Sequence, residues 1–520
     1  MAQDVCSYDV ARNDKYGRYL TANKDIESGE LIFTDKPFAY GPKPDSPPLC
    51  LGCYCPVAES LCARCGWPAC GAECAAAPAH AAECAVFARA RVRFQPPDDW
   101  TASAPQLDCI TPLRLLLAKE SNPERWASEL APMETHTTER QARPTWTADQ
   151  VNVVTFLLEH CRLGDRFDKE LVQQVCGILE VNAVEIPSRG GFSIRAVYPR
   201  LAIAAHSCVP NIVHTILQDD YQVQVRAATS IKAGQPLHLC YTHVLSPTLT
   251  RRDFLLESKF FWCDCPRCAD PTELGSHLST LKCSKCDNGV ILATNPLDSE
   301  AAWQCTDKNC GFKTSSAAMR KLLAVVQAEV DQLDALEPGA QAIETREATL
   351  KKYKSVFHPR HALLLSLKLA LAQLYGRVAG YGIDELPDLL LERKAELARL
   401  VLAALDAVAP GDTRMRAYGR VAGYGIDELP DLLLERKAEL ARYSMMLYEL
   451  HAPLMFLARS EFSAGLITQE KLKERLQEPI ACLAEASKIL SREDPQSPEG
   501  ITGQIAQQSL EQLQASLDSL

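Results

Sequence analysis

A chain of 520 residues, 47% hydrophobic and 23% charged, is too long for one hydrophobic core and too apolar for a disordered segment, so about three or four globular units are expected. Its 55 Lys and Arg against 66 Asp and Glu leave a formal charge of −11, which excludes a chain-wide basic field for a phosphate backbone and suits a basic protein partner better. The opening stretch MAQDVCSYDVARND has no apolar core of signal-peptide length, and the later run LARLVLAALDAVAPG is short and broken by Asp406. No membrane span is expected, and the expected location is intracellular, cytoplasm and nucleus. In that reducing setting, clusters among the 22 cysteines are expected to be metal ligands rather than disulfides.

Near the N-terminus, GRYLTANKDIESGELIFTDKP reads as two short strands punctuated by Gly17 and by Ser28-Gly29. The proline-rich GPKPDSPPLC then opens a cysteine cluster running from Cys50 to Cys84. From Leu107 to about Val181 the pattern is helical, with Thr147 and Gln150 forming a capping-box signature before VNVVTFLLEHCRL. Strand alternation returns in YQVQVRAATSIKAGQPLHLCYT, where Val223 and Val225 share a face and Gly234 turns the chain. A second cysteine cluster spans Cys263 to Cys310. Beyond Ser315 the pattern is helical, with Leu322, Val326, Val330 and Leu333 as its first buried stripe. HALLLSLKLALAQLYG and PIACLAEASKIL carry similar stripes, so the C-terminal third reads as stacked antiparallel helices without a convincing repeat of ~34 residues.

One repeat has no differences at all. YGRVAGYGIDELPDLLLERKAELAR fills residues 375–399 and again 418–442. Structural repeats that diverge under packing constraints are rarely identical, so this duplicate reads as a recent event or an error of gene assembly rather than a functional array.

The first cluster supplies Cys50, Cys53, Cys62, Cys65, Cys70, Cys74, His80 and Cys84, with Cys55 outside the spacing. Zinc takes four tetrahedral thiolate or imidazole ligands, and a pair two to four residues apart curls around one ion. Eight ligands make two ions, with the expected pairing interleaved: Cys50, Cys53, Cys70 and Cys74 on one, Cys62, Cys65, His80 and Cys84 on the other. So short a peptide is expected to depend on the metal for its folding energy, on the order of 10 kcal/mol per site. A further set, Cys283, Cys286, Cys305 and Cys310, has the spacing of a zinc ribbon. Cys6, Cys109, Cys161, Cys176, Cys240 and Cys482 read as ordinary buried thiols. In AAHSCVPNI, Cys208 is open to three readings: metal ligand, core thiol or nucleophile.

The eight-ligand pattern resembles the MYND zinc module, and its position inside a strand-rich region is similar to the SET and MYND family of protein methyltransferases. GRYLTANKDIESGELIF resembles the first SET segment, and VYPRLAIAAHSCVPN with GQPLHLCYT the second. The appended ribbon is similar to that of an arthropod-restricted, SmydA-like branch. The resemblance implies an α+β fold: a split SET β-fold with an inserted MYND module, a post-SET zinc site and a zinc ribbon, followed by an α-helical, TPR-like C-terminal domain. The segments it implies are 1–45 and 181–245 for SET, 50–84 for MYND, 85–180 for a helical insert, 246–275 for the post-SET region, 280–313 for the ribbon and 315–520 for the helical domain. It makes Cys208 the fourth ligand of a zinc otherwise held by Cys263, Cys265 and Cys268, for three zinc sites plus the ribbon's fourth.

The activity implied is methyl transfer from S-adenosylmethionine to a lysine of a histone or other basic protein, with a role in chromatin or transcription. Tyr241 matches the catalytic tyrosine and Phe261 the lysine channel. Gly17, Arg18, Asn182, Ala205 and His206 match cofactor-binding positions. Two residues depart from the family pattern: Ala205 replaces an asparagine that hydrogen-bonds the cofactor, and Lys259 replaces a channel tyrosine. These departures keep a second reading open, a zinc scaffold with little catalysis that recruits partners, proline-rich ones through MYND, such as a transcriptional repressor. Direct nucleic-acid contact gains no support from CARCGWPACGAECAAAPAH, whose single basic residue is Arg64.

Overall fold

A computed structural model of the chain describes residues 7–375, 437–491 and 498–519, apart from 189, 191, 218 and 219. The duplicate therefore lies outside the described residues, save Tyr375 and the stretch 437–442 that opens the helix Lys437–Ser463. Cys6 also lies outside them.

Ten short strands build the first half: β1 (Tyr8–Asn13), β2 (Gly17–Ala22), β3 (Leu31–Asp35), β4 (Ala39–Pro42), β5 (Val184–Pro187), β6 (Ser193–Val197), β7 (Ala205–His206), β8 (Ile212–Ile216), β9 (Val223–Ala227) and β10 (His238–Leu239). β1 and β2 form an antiparallel hairpin. At its turn the Asn13 side-chain oxygen accepts the amides of Lys15 and Tyr16, and Gly17 takes the positive φ, +63°, that a residue with a side chain adopts at a cost. β3 pairs with β9 and β9 with β8, while β4 pairs with β6 and β6 with β5. Leu31 sits opposite Arg226, so two segments far apart in sequence share each sheet.

Alternation explains which faces meet. Val223, Val225 and Ala227 are fully buried while Gln224 and Arg226 are not, and they join Leu20, Phe33, Ile194 and Leu237 in one core. The intervening region is helical, and Ile110–Ser121 and Lys169–Asn182 bury Leu113, Leu116, Val172 and Ile178. Asp168 caps the latter helix by accepting the amide of Leu171 at 2.7 Å. Thr147, by contrast, lies inside the helix Pro144–Asp149, and Gln150–His160 continues as π-helix. Proline at the first position starts that helix earlier than a capping box would.

The zinc module is less isolated than its composition suggests. Trp67 is fully buried, stacks on Phe87 at 4.1 Å and 13°, and shares a core with Leu107, Leu157 and Val175 of the helical insert. Four further strands, β11 (Leu281–Lys282), β12 (Val290–Ala293), β13 (Trp303–Cys305) and β14 (Lys313–Thr314), make an antiparallel ribbon. Its Ile291 and Trp303 pack with Met319, Val326, Val330 and Leu333 of the helix Ser316–Asp334. The C-terminal helices Lys437–Ser463, Gln477–Leu490 and Pro498–Ser519 bury Leu450, Leu483 and Leu510 in a core shared with Val244, Leu278, Ile343 and Leu365.

Candidate functional site

Four sets of ligand atoms converge, each set within 4.8 Å: Cys50, Cys53, Cys70 and Cys74; Cys62, Cys65, His80 and Cys84; Cys208, Cys263, Cys265 and Cys268; Cys283, Cys286, Cys305 and Cys310. Separations such as Cys53–Cys70 at 3.6 Å, Cys62–Cys84 at 3.9 Å and Cys283–Cys310 at 3.5 Å approach the ~3.8 Å edge of a tetrahedron with Zn–S bonds of about 2.3 Å. The donor chemistry, all thiolate or thiolate with one imidazole, fits zinc. Gly52 lets the first set close, because a Cβ there would stand 2.6 Å from the carbonyl oxygen of Cys74. Cys55 belongs to none of the sets.

Behind the second set lies a buried polar clamp. His80 turns Nε2 toward Cys65 at 3.4 Å and Nδ1 toward the Glu83 carboxylate at 3.0 Å. Arg114, from the helix Ile110–Ser121, holds that carboxylate with two hydrogen bonds of 2.6 Å. It also donates to the carbonyls of Leu51 and Tyr40 and to the Tyr54 hydroxyl. A carboxylate on the far nitrogen of a ligating histidine fixes its tautomer and orientation. Arg114 thereby ties the zinc module to β4.

Cys208 is fully buried, 3.9 Å from Cys263 and 3.6 Å from Cys268. Arg251 spans this set: its guanidinium donates to Cys208 Sγ at 3.3 Å and Cys268 Sγ at 3.5 Å, and pairs with Glu273, which also holds Arg267. His206 decides between ligand and nucleophile. Its Nδ1 accepts the backbone N–H of Tyr241 at 3.0 Å, so the ring proton sits on Nε2, 3.3 Å from Cys208 Sγ. An imidazole in that tautomer donates to the thiolate and cannot take a proton from it, so Cys208 has no base here.

Most of the residues matched to the transfer chemistry gather beside this set. Tyr241 lies 5.2 Å from the His206 ring and Phe261 5.8 Å from it, centroid to centroid. The Tyr241 hydroxyl donates to the Ala204 carbonyl, and burial pushes its pKa well above the ordinary phenol value, so it stays protonated. Lys259 turns inward: its Nζ donates to the Val181 carbonyl at 2.6 Å and stands 5.8 Å from the centre of the Tyr241 ring. Desolvation lowers its pKa from 10.5 to about 8. Asn182 spends its amide N–H groups on the Glu134 and Ile178 carbonyls, and Arg18 donates to the Pro132 carbonyl. Ala205 pairs with His238 across the parallel β7–β10 ladder. The His238 Nε2 is buried and has no hydrogen-bond partner among the described residues, while its ring meets the edge of Tyr16, next to Gly17.

The sequence reading missed Glu83 with Arg114, Arg251 with Glu273, and His238. Glu83 had a signal, since a carboxylate three residues after a ligating histidine on a helix shares its face. Arg251 had a weaker one, a charged pair inside a helical stretch just before the cysteine trio. His238 had none, because its meaning lies in a ladder between residues 33 positions apart.

No family model matches the chain. It is 29% identical over 317 residues to the SET domain-containing protein SmydA-8, isoform A, of Drosophila melanogaster, covering 59% of this chain and 65% of that one. It is 27% identical over 265 residues to the N-lysine methyltransferase SMYD2 of Gallus gallus, covering 48% and 57%, and 22% identical over 386 residues to the histone-lysine N-methyltransferase ASHR1 of Arabidopsis thaliana, covering 68% and 73%. The match thus takes in just under two thirds of the Drosophila relative. Among solved structures, the SET domain of LSMT bound to lysine and AdoHcy covers 100% of this chain and 89% of its own, at 13% identity and a TM-score of 0.30. In sequence the chain is thus similar to members of the SET and MYND family, a SmydA protein among them, and the interleaved ligand sets and split sheets agree with that likeness.

Proposed function

We propose that the chain is an S-adenosylmethionine-dependent protein-lysine N-methyltransferase acting on a histone or another basic protein. The observation that carries this reading is the convergence of Tyr241, His206 and Phe261 beside the Cys208 cluster, with Tyr241 anchored at both its amide and its hydroxyl. The segments given above, SET at 1–45 and 181–245, MYND at 50–84, the helical insert at 85–180, post-SET at 246–275, ribbon at 280–313 and helical domain at 315–520, are the division that goes with it. The acidic balance of −11 supports a basic protein as substrate.

S-adenosylmethionine, when bound, supplies a methyl group on a cationic sulfur. The residues present fit it in the region of Gly17, Ala205 and His238: open space lies where a Gly17 Cβ would stand, and a buried imidazole nitrogen there lacks a partner. Gly17, Arg18, Asn182, Ala205 and His206 are the residues that would surround it. His206 would do so through its ring and by positioning Tyr241, since both its nitrogens are engaged.

A lysine attacks only as the neutral amine, and its ordinary pKa is about 10.4. The walls formed by Phe261 and the Tyr241 ring desolvate an incoming amine and favour loss of its proton to water. Tyr241 keeps its own proton, so its oxygen orients the amine and does not act as a base. Restricting the amine to one approach line is itself a large part of the acceleration.

One set of observations favours the second reading, a zinc scaffold with little catalysis: Lys259 places an amine beside Tyr241, and Asn182 turns its amide away toward Glu134. Calorimetric titration with S-adenosylmethionine separates the two. Heat of binding at micromolar to millimolar donor, with methyl transfer to a lysine peptide that is lost in Tyr241→Phe at unchanged zinc content, supports the enzyme. No heat at millimolar donor overturns it. Partner recruitment by the zinc module, proline-rich peptides included, and residence in cytoplasm and nucleus belong to the same proposal; among the described residues no helix is long and apolar enough to cross a membrane.

A further inference from the structure

Lys259 differs in its setting from several other lysines of the chain. Lys15, Lys232 and Lys352 are exposed and paired with Asp264, Asp25 and Glu329, which hold them charged. Lys259 is half-buried at the end of the helix Thr248–Lys259, with no carboxylate within ion-pairing distance among the described residues. Its backbone cannot easily swing away. Phe260 takes a left-handed φ of 64° and stacks on His136 at 4.6 Å, and Arg143 lies over the Phe260 ring at 4.1 Å and donates to the carbonyls of Leu256 and Glu257. The side chain is therefore aimed at the Val181 carbonyl and the Tyr241 ring, into the neighbourhood where an acceptor amine has to sit.

An amine that is desolvated, has no carboxylate in ion-pairing contact to offset this, only the more distant Glu180, and is held in place is a nucleophile, because a substantial part of it is neutral near pH 8. We propose that Lys259 is itself a methyl acceptor, modified in cis by the site whose wall it forms. The Nζ lone pair forms a bond to the methyl carbon of S-adenosylmethionine, the carbon–sulfur bond breaks, and its electron pair returns to sulfur to give S-adenosylhomocysteine. The extra proton leaves the new secondary ammonium to water. A remaining N–H still reaches the Val181 carbonyl, so the modified side chain keeps its anchor while its added methyl narrows the channel. This inference rests on the methyltransferase reading.

The test incubates the full zinc-loaded chain with S-adenosylmethionine, with and without a lysine peptide, and reads both by peptide mass spectrometry. Expected is one added CH2 on the peptide carrying Lys259, absent in Tyr241→Phe and in Lys259→Arg. Methylated lysine peptide with unmodified Lys259 overturns this inference and leaves the activity standing; no modification of either overturns both. Lys259 methylated without transfer to peptide still supports it. A readout that needs no donor is nuclear magnetic resonance titration of isotopically labelled lysines. One midpoint near 8 that disappears in Lys259→Arg supports the neutral nucleophile, and a Lys259 midpoint with the exposed lysines overturns it.

Discussion

The backbone N–H of Tyr241 points at Nδ1 of His206 from 3.0 Å, and the other nitrogen of the same ring faces the Cys208 thiolate. One imidazole thus joins a metal ligand to the residue matched to the chemistry. His206→Ala is expected to keep the zinc and to slow methyl transfer by about 10–100-fold, the usual loss on removing a residue that orients a site from behind its ligands. Elemental analysis alongside a radiolabelled methyl assay checks it, and unchanged turnover would detach His206 from the mechanism.

Four ligand sets predict four zinc ions per chain. Cys263→Ser should bring the measured content down by one and loosen Tyr241 through Cys208, while Cys55→Ser should leave it unchanged. A native content below three would contradict the clustering.

Arg114→Met leaves the Glu83 carboxylate buried without its partner, and the expected loss is about 3–5 kcal/mol in denaturant unfolding. Pairing it with Glu83→Gln should recover part of that loss, because the charge that needs compensation is gone. A double variant as unstable as the sum of the single ones would argue against the clamp.

Lys259 has its folded-state pKa lowered from 10.5 to about 8, chiefly by desolvation, with Glu180 opposing. Between those values the unfolded chain binds more protons than the folded one, so stability rises with pH from about 8 to 10.5 and the penalty is complete below 8. With partial exposure discounted, Lys259→Met should add about 1–2 kcal/mol at neutral pH and flatten that rise. Thermal melts from pH 7 to 10.5 measure it.

Ala205→Asn should tighten binding of S-adenosylhomocysteine by about 5-fold or more, if a side-chain amide there meets a polar atom otherwise unpaired. Calorimetry on the two proteins gives the ratio, and equal affinity would place residue 205 away from the donor.

Spacing carried most of what could be read in advance. Ligands such as Cys50 and Cys53 must curl around one ion, so local geometry alone pairs them, and the alternation of Val223 and Val225 exposes a buried face without any partner known. What stayed hidden depends on contacts between distant segments. Arg114 reads as one more charged residue of an apolar helix until Glu83 stands opposite it, and the inward turn of Lys259 follows from the left-handed Phe260 after it, which no side-chain pattern announces. The π-helical turn at Gln150–His160 is likewise a product of packing, since propensity does not favour it.

The pairing of Leu31 with Arg226 has a consequence for synthesis. At about 5–20 residues per second, β3 waits on the order of 10–40 seconds after leaving the ribosome before its neighbour β9 has been made. Throughout that interval its hydrogen-bonding edge is bare, a template for aggregation. The zinc module finishes during the same wait, with its last ligand at Cys84, so the nascent chain can capture metal and gain a rigid nucleus while β3 and β4 are still without their partners β9 and β6.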